Sequence, residues 1–219
     1  MPSIKEVANR IKSVQSTQQI TKAMKMVAAA KLGRVQQQVL QMRPYAEKLT
    51  SLLDNLMAST QHSSLQHYIA KRPLQKLLLV VMTSDRGLCG GFNTNVLKKA
   101  QQYLQHTGLA SAQIDVLPIG RKASDFFTAR AFHLVHDYVN LAHHLGFDHA
   151  KQAADRLIEA FLQVQYDQVV LVYNQFQSAV IQTPCVVPFL PISQSITQQQ
   201  ELSAACIYEP DKVALMGAL

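Results

Sequence analysis

Apolar side chains in the first quarter of the chain recur at alternating spacings of four and three. The series runs through Ile4, Val7, Ile11 and Val14, and again through Ala28, Leu32, Val35, Val39, Met42, Ala46, Leu49, Leu53 and Leu56. Between these stretches the same register falls on Gln18, Thr21 and Lys25, and the apolar positions move to Ile20, Ala23, Met24 and Val27. From Ser3 to about Met57 the only glycine is Gly33 and the only proline Pro44, among Ala, Lys, Gln, Leu and Met, which favour helix. Ser3 with Glu6 three residues on is a capping-box pattern and marks a helix start. Some fifty residues at 1.5 Å each reach about 80 Å, longer than a helix inside a compact domain. The spacing therefore predicts a projecting rod with a coiled-coil seam. Its displaced patch predicts a contact on another side, and Pro44 predicts a kink or a tolerated bend.

Beyond the rod the period changes. Leu77–Met82 (LLLVVM) is a short, uninterrupted apolar run of the kind that forms a strand buried on both faces. A helix is expected from about Thr94 to Gln105, a strand at Ile114–Pro118, a short helix at Gly120–Thr128 and a strand at Phe132–Val135. A longer helix follows at Asp148–Val164, with Ala153, Leu157, Phe161 and Val164 on one side. Strands at Val169–Tyr173 and Ala179–Val187, turning near Gln177, end at the prolines Pro184, Pro188 and Pro191. Strands alternating with helices predict an α/β fold with a mostly parallel sheet, and the short last connection predicts an antiparallel final pair. The expected division is 1–60 for the shaft helix, 61–207 for the α/β domain and 208–219 for the start of a further helix.

Charge sharpens this division. Residues 1–45 hold eight basic side chains against one acid, Glu6, a balance of +7, and the 13 basic and 13 acidic groups of 46–219 cancel. A partner selected by charge meets the rod and is expected to be polyanionic or to carry acidic patches. Of 219 residues 48% are apolar and 16% charged, enough for a buried core and against bulk disorder. Cys89, Cys185 and Cys206 have no zinc-site spacing, and an odd, sparse set is no disulfide framework, so reduced thiols in a cytosolic compartment are expected. No run of about 18 apolar residues or signal-peptide core is present, so no transmembrane segment is expected.

The segment Arg86-Gly87-Leu88-Cys89-Gly90-Gly91-Phe92-Asn93 between a strand and a helix invites a phosphate-binding reading. G-x-x-G-G is neither G-x-G-x-x-G nor a Walker loop, so a tight turn needing glycine is preferred. Cys89 has no accompanying His or Asp and is read as a partly buried structural thiol. His143, His144 and His149 lack metal-ligand spacing and are read as solvated or capping groups. No carboxylate pair or triad stands out, so no catalytic residue, cofactor or metal is expected. A basic dimerising helix for nucleic acid is the first rival reading, opposed by singly spaced charges without aromatics. A nucleotide-using α/β enzyme is the second.

Two stretches carry a specific resemblance: Ile4–Ala29 (IKEVANRIKSVQSTQQITKAMKMVAA) and Thr83–Asn93 (TSDRGLCGGFN). Together with Arg43-Pro44-Tyr45 and Tyr208-Glu209-Pro210, they closely resemble the gamma-subunit family of F-type ATP synthases, of the bacterial type. The resemblance implies a helical rod beside a Rossmann-like domain. It implies a rotor in the central stalk that couples proton-driven rotation to ATP synthesis or hydrolysis on alpha and beta subunits, with no active site of its own. Implied partners are the alpha and beta subunits, epsilon and the membrane c-ring, with no nucleic acid. The implied location is peripheral, on the cytoplasmic face of the bacterial plasma membrane. Arg10, Lys12, Met24 and Lys25 are implied contacts of the rod with the alpha/beta ring, and the stretch Arg86 to Cys89, with Arg86, Gly87 and Cys89 singled out, is an implied loop of polar contacts with a beta subunit. The family's second long helix pairs antiparallel with the first, and Pro210–Leu219 would be its first turns. The seam is then expected to lack a partner within these residues and to bury itself against another copy or another protein. No regulatory cysteine insert is visible, so no thiol switch is expected.

Overall fold

The computed structural model describes residues 3–59, 67–136, 138 and 146–192, with backbone alone over 55–59. The proposed helix start at 208–219, Cys206, His143 and His144 lie outside the described residues. Two compact units divide the chain, one carrying the N-terminal helix and one spanning Ser59–Ala204.

Helix α1 runs Ile4–Ser59 and continues through Pro44. Its start is the expected reciprocal cap: the Ser3 N–H donates to Glu6 Oε2 at 2.8 Å and the Glu6 N–H to Ser3 Oγ at 3.3 Å. Thr17, Thr21 and Thr50 turn their hydroxyls back onto the carbonyls of Ser13, Thr17 and Ala46, so these polar residues are satisfied within the helix. The apolar seam is bare at its beginning, where Ile4 is 90% exposed and Val7, Ile11 and Val14 are also exposed. Val39, Leu49 and Leu53 are half-buried.

The second unit is a five-stranded sheet of order β3-β2-β1-β4-β5, from β1 (Leu77–Met82), β2 (Ile114–Ile119), β3 (His133–Leu134), β4 (Gln168–Phe176) and β5 (Gln182–Leu190). The first four strands run parallel, and β5 pairs antiparallel with β4, as the short connection predicts. Helices α2 (Phe92–Thr107) and α3 (Arg121–Thr128) cover one face, and α4 (Phe147–Leu162) packs on the other. Alternation along β1 makes this possible. Leu77, Leu79 and Val81 join Val96, Ala100 and Phe127 on the first face, while Leu78 and Val80 join Leu157 and Phe161 on the second.

Prolines in the strands are placed where a missing donor costs little. The Pro118 carbonyl accepts from the Tyr138 N–H, so its ring nitrogen faces the same side, beyond the end of two-residue β3. Pro184 and Pro188 do not end β5, as the sequence suggests; they lie inside it, because β5 is an edge strand. The start of β4 is tied to the approach to β1 by Asp167, which accepts from the Gln75 and Lys76 N–H groups at 2.9 and 2.8 Å. Arg72 donates to the carbonyls of Phe161 and Tyr166, with its guanidinium 4.7 Å from the Phe161 ring centroid.

Val164 departs from its expected place on the buried side of α4. It adopts φ 59, is 61% exposed, and serves as the left-handed residue that ends the helix, where the Gln165 N–H reaches the Ala160 carbonyl at 3.0 Å. A β-branched residue is strained there and contributes no core contact in return. Val164→Gly is therefore expected to stabilise the chain by about 1 kcal/mol, raising the thermal midpoint by about 3 °C. An unchanged or lower midpoint in calorimetry would refute this account of the turn.

Candidate partner-contact surfaces

The first surface lies on α1. Arg10, Lys12, Met24 and Lys25 are all exposed, as are Ile20, Met26 and Val27 beside them. Large apolar side chains and a net positive charge thus share one helix, the composition of a contact surface for a partner with acidic patches.

The second surface is the loop from Thr83 to Gly91, at the C-terminal end of β1, and its own side chains shape it. Asn93, buried in the first turn of α2, organises the interior. Its Oδ1 accepts from the Ser84 N–H at 2.9 Å. Its Nδ2 lies 2.9 Å from Ser84 Oγ, 3.2 Å from the Arg86 carbonyl and 3.1 Å from Cys89 Sγ. Ser84 Oγ also donates to the Arg86 carbonyl at 2.7 Å. A second set of bonds fastens the loop to α3. Thr83 Oγ1 accepts from the Ala123 N–H at 2.8 Å, Asp85 Oδ1 from the Arg121 N–H at 2.9 Å, and the Ser84 carbonyl from the Lys122 N–H at 3.3 Å. The first N–H groups of α3 are thereby satisfied by protein atoms.

Arg86, Gly87 and Cys89 are brought together here, and all three are exposed. For Cys89 this corrects the expectation of a partly buried thiol: Asn93 holds the sulfur at the rim of the loop. Gly90 has the positive φ of 59 expected of a tight turn. Leu88 shares that conformation at φ 58 and is 109% exposed, which sequence reasoning missed because a leucine gives no sign of a left-handed backbone. Holding it there costs about 1–2 kcal/mol.

At the opposite, N-terminal end of the parallel strands Asp115, buried on β2, gathers Tyr166 Oη at 2.7 Å, Lys76 Nζ at 3.1 Å and His133 Nδ1 at 2.9 Å. Burial pushes its carboxyl up, but the hydrogen bonds from Tyr166, Lys76 and His133 and the Lys76 charge outweigh burial and hold it below the ordinary value. Burial and the same carboxylate push the Tyr166 hydroxyl far up, so it stays a donor. Among the described residues no group of His, Cys, Asp and Glu could hold a metal ion, and no helix is long and apolar enough to cross a membrane.

Comparison with known proteins identifies the class first. The family model described as ATP synthase matches residues 3–219. The gamma chain of Amoebophilus asiaticus ATP synthase is 46% identical over 220 residues, covering the whole of this chain and 76% of that protein. That of Cytophaga hutchinsonii is 42% identical over 225 residues, with the same coverage. A chain in the central stalk and c-ring structure of the Tetrahymena thermophila mitochondrial ATP synthase superposes with a TM-score of 0.61 at 26% identity, covering 91% of this chain and 84% of its own length. A chain of the Euglena gracilis mitochondrial ATP synthase rotor gives 0.57 at 25% identity, covering 97% of this chain and 75% of its own. The protein belongs to the ATP synthase gamma-chain family, and its role is that of the gamma subunit.

Proposed function

We propose that the chain acts as a non-catalytic rotor of the central stalk, coupling proton-driven rotation to ATP synthesis or hydrolysis on neighbouring alpha and beta subunits. The observation that carries this reading is the surface of α1, which is apolar and basic together and exposed from Ile4 to Tyr45 at nearly every large apolar position. A rotor changes the affinity of catalytic sites only through contacts that differ between its angular positions. Arg10, Lys12, Met24 and Lys25 supply such contacts from the rod, and Arg86, Gly87 and Cys89 supply them from the loop. Stiffness comes from an unbroken 56-residue helix. The α/β unit, spanning 61–207 in our division, is the mount. Its partners are alpha, beta, epsilon and the c-ring, and its location is peripheral, on the cytoplasmic face of a bacterial plasma membrane.

Mixing the chain with the alpha and beta subunits of its own synthase is expected to yield one assembly on size-exclusion chromatography, weakened by salt. The chain alone is expected to bind no nucleotide at millimolar concentration. Hydrolysis of ATP by the chain alone, or its failure to assemble, would overturn the reading.

A further inference from the structure

We propose that Pro184 and Pro188 are gatekeepers that close the outer edge of β5 to strand addition by the β5 of a second copy of this chain. The inference does not depend on the rotor reading. It begins with the two rims of the sheet. On one side β3 is an edge of two residues, too short to template another strand. On the other side β5 is nine residues long, and no strand among the described residues pairs beyond it.

The composition of β5 makes that edge a hazard. Thr183, Val186, Val187 and Phe189 favour extended backbone. From Gln168 to Gln200 the sequence holds no charged side chain, so the charges that commonly blunt an edge are missing from both strands of the hairpin.

The hairpin itself fixes which backbone groups of β5 point outward. The Gln177 N–H donates to the Ile181 carbonyl at 3.2 Å, so these two residues face each other across the ladder. Backbone direction alternates from residue to residue in an antiparallel pair. Thr183, Cys185 and Val187, opposite Gln175, Tyr173 and Leu171, therefore also turn their N–H groups toward β4. Pro184, Val186 and Pro188, opposite Asn174, Val172 and Val170, face away from it. A strand added to this edge needs donors at those three places, and two of them are ring nitrogens that carry no hydrogen. Only the Val186 N–H is left to donate there. The ladder also shifts register at Val169/Val170, where Phe189 is the extra residue between Pro188 and Leu190, and a bulge of this kind twists an edge away from a flat partner. Prolines at the inward positions would have broken the pairing with β4. Placed at outward positions, they leave β5 bonded on one side and closed on the other.

The test uses the whole chain. In the parent, the Val186 amide is expected to exchange its hydrogen at least about tenfold faster than the amides of Cys185 and Val187. Pro184→Val combined with Pro188→Val returns both donors without adding charge. This variant is expected to self-associate in sedimentation at concentrations about tenfold below the parent, with the Val186 amide becoming protected as concentration rises. Pro184→Val combined with Pro188→Lys returns the same donors but sets a charge at an exposed edge position, and it is expected to sediment like the parent. Pro188→Val alone, at that exposed position, is expected to associate at about threefold lower concentration than the parent, and it stands in if the double valine variant does not fold. Parent-like sedimentation of a folded valine variant overturns the gatekeeper role, and so does a slowly exchanging Val186 amide in the parent. Equal association by the valine and lysine variants traces the effect to loosened packing instead of an opened edge, and overturns it as well.

Discussion

Gly120→Ala is expected to destabilise the α/β unit by about 4 kcal/mol and to loosen the Thr83–Gly91 loop at the same time. Gly120 closes β2 at φ 100, a conformation that side chains rarely adopt. A Cβ there would sit 2.2 Å from the Thr83 carbonyl oxygen and 2.9 Å from its carbon, both backbone atoms. Flexible side chains could yield, but this oxygen belongs to the turn that caps α3. Moving Thr83 breaks its bond to the Ala123 N–H and drags Ser84 and Asp85 from their places, so the insult spreads to the surface that carries Arg86 and Leu88. Urea unfolding followed by tyrosine emission, which Tyr166 reports from inside the second core, should show a lower midpoint at unchanged slope. A midpoint within about 0.3 M of the parent would mean that the two turns part without cost.

The elements legible in the sequence are those whose pattern is local. The seam and capping box define α1; the unbroken apolar run defines β1, because that strand is buried on both faces. The stripe Ala153, Leu157, Phe161 likewise defines α4. Reading fails where a tertiary neighbour decides. β5 runs through two prolines because no strand among the described residues pairs with its outer edge, a fact that depends on strand order. Val164 continues the apolar stripe of α4 and yet lies beyond its end, since the left-handed turn after the helix overrides periodicity. Of the contact loop, the turn at Gly90 is announced by its glycine, whereas the conformation of Leu88 is set by Asn93 and Ser84, which carry no spacing signal. Asp115 shows the limit most plainly: its three partners come from distant segments, and only the parallel register of β1, β2, β3 and β4 assembles them.

That cluster supports the second large effect. Asp115→Ala is expected to cost about 3 kcal/mol at neutral pH, because it leaves the Tyr166 hydroxyl without its buried acceptor and Lys76 and His133 without their carboxylate. Lys76 and His133 are partly exposed and can regain water, which keeps the loss below that of a fully buried pair. The pH dependence gives the sign of the interaction. The carboxyl is held below its ordinary value in the folded chain, so the unfolded chain takes up the proton first as pH falls. The stabilisation is then fully present above the unfolded value of about 4 and is lost as pH drops through the lower folded value. Parent and Asp115→Ala stabilities should therefore differ at neutral pH and converge below about pH 4. A gap that widened on acidification would mean that burial, which favours the protonated acid, outweighs the hydrogen bonds. The carboxylate would then be a cost that β2 and β3 carry, and Lys76 and Tyr166 would be its compensation.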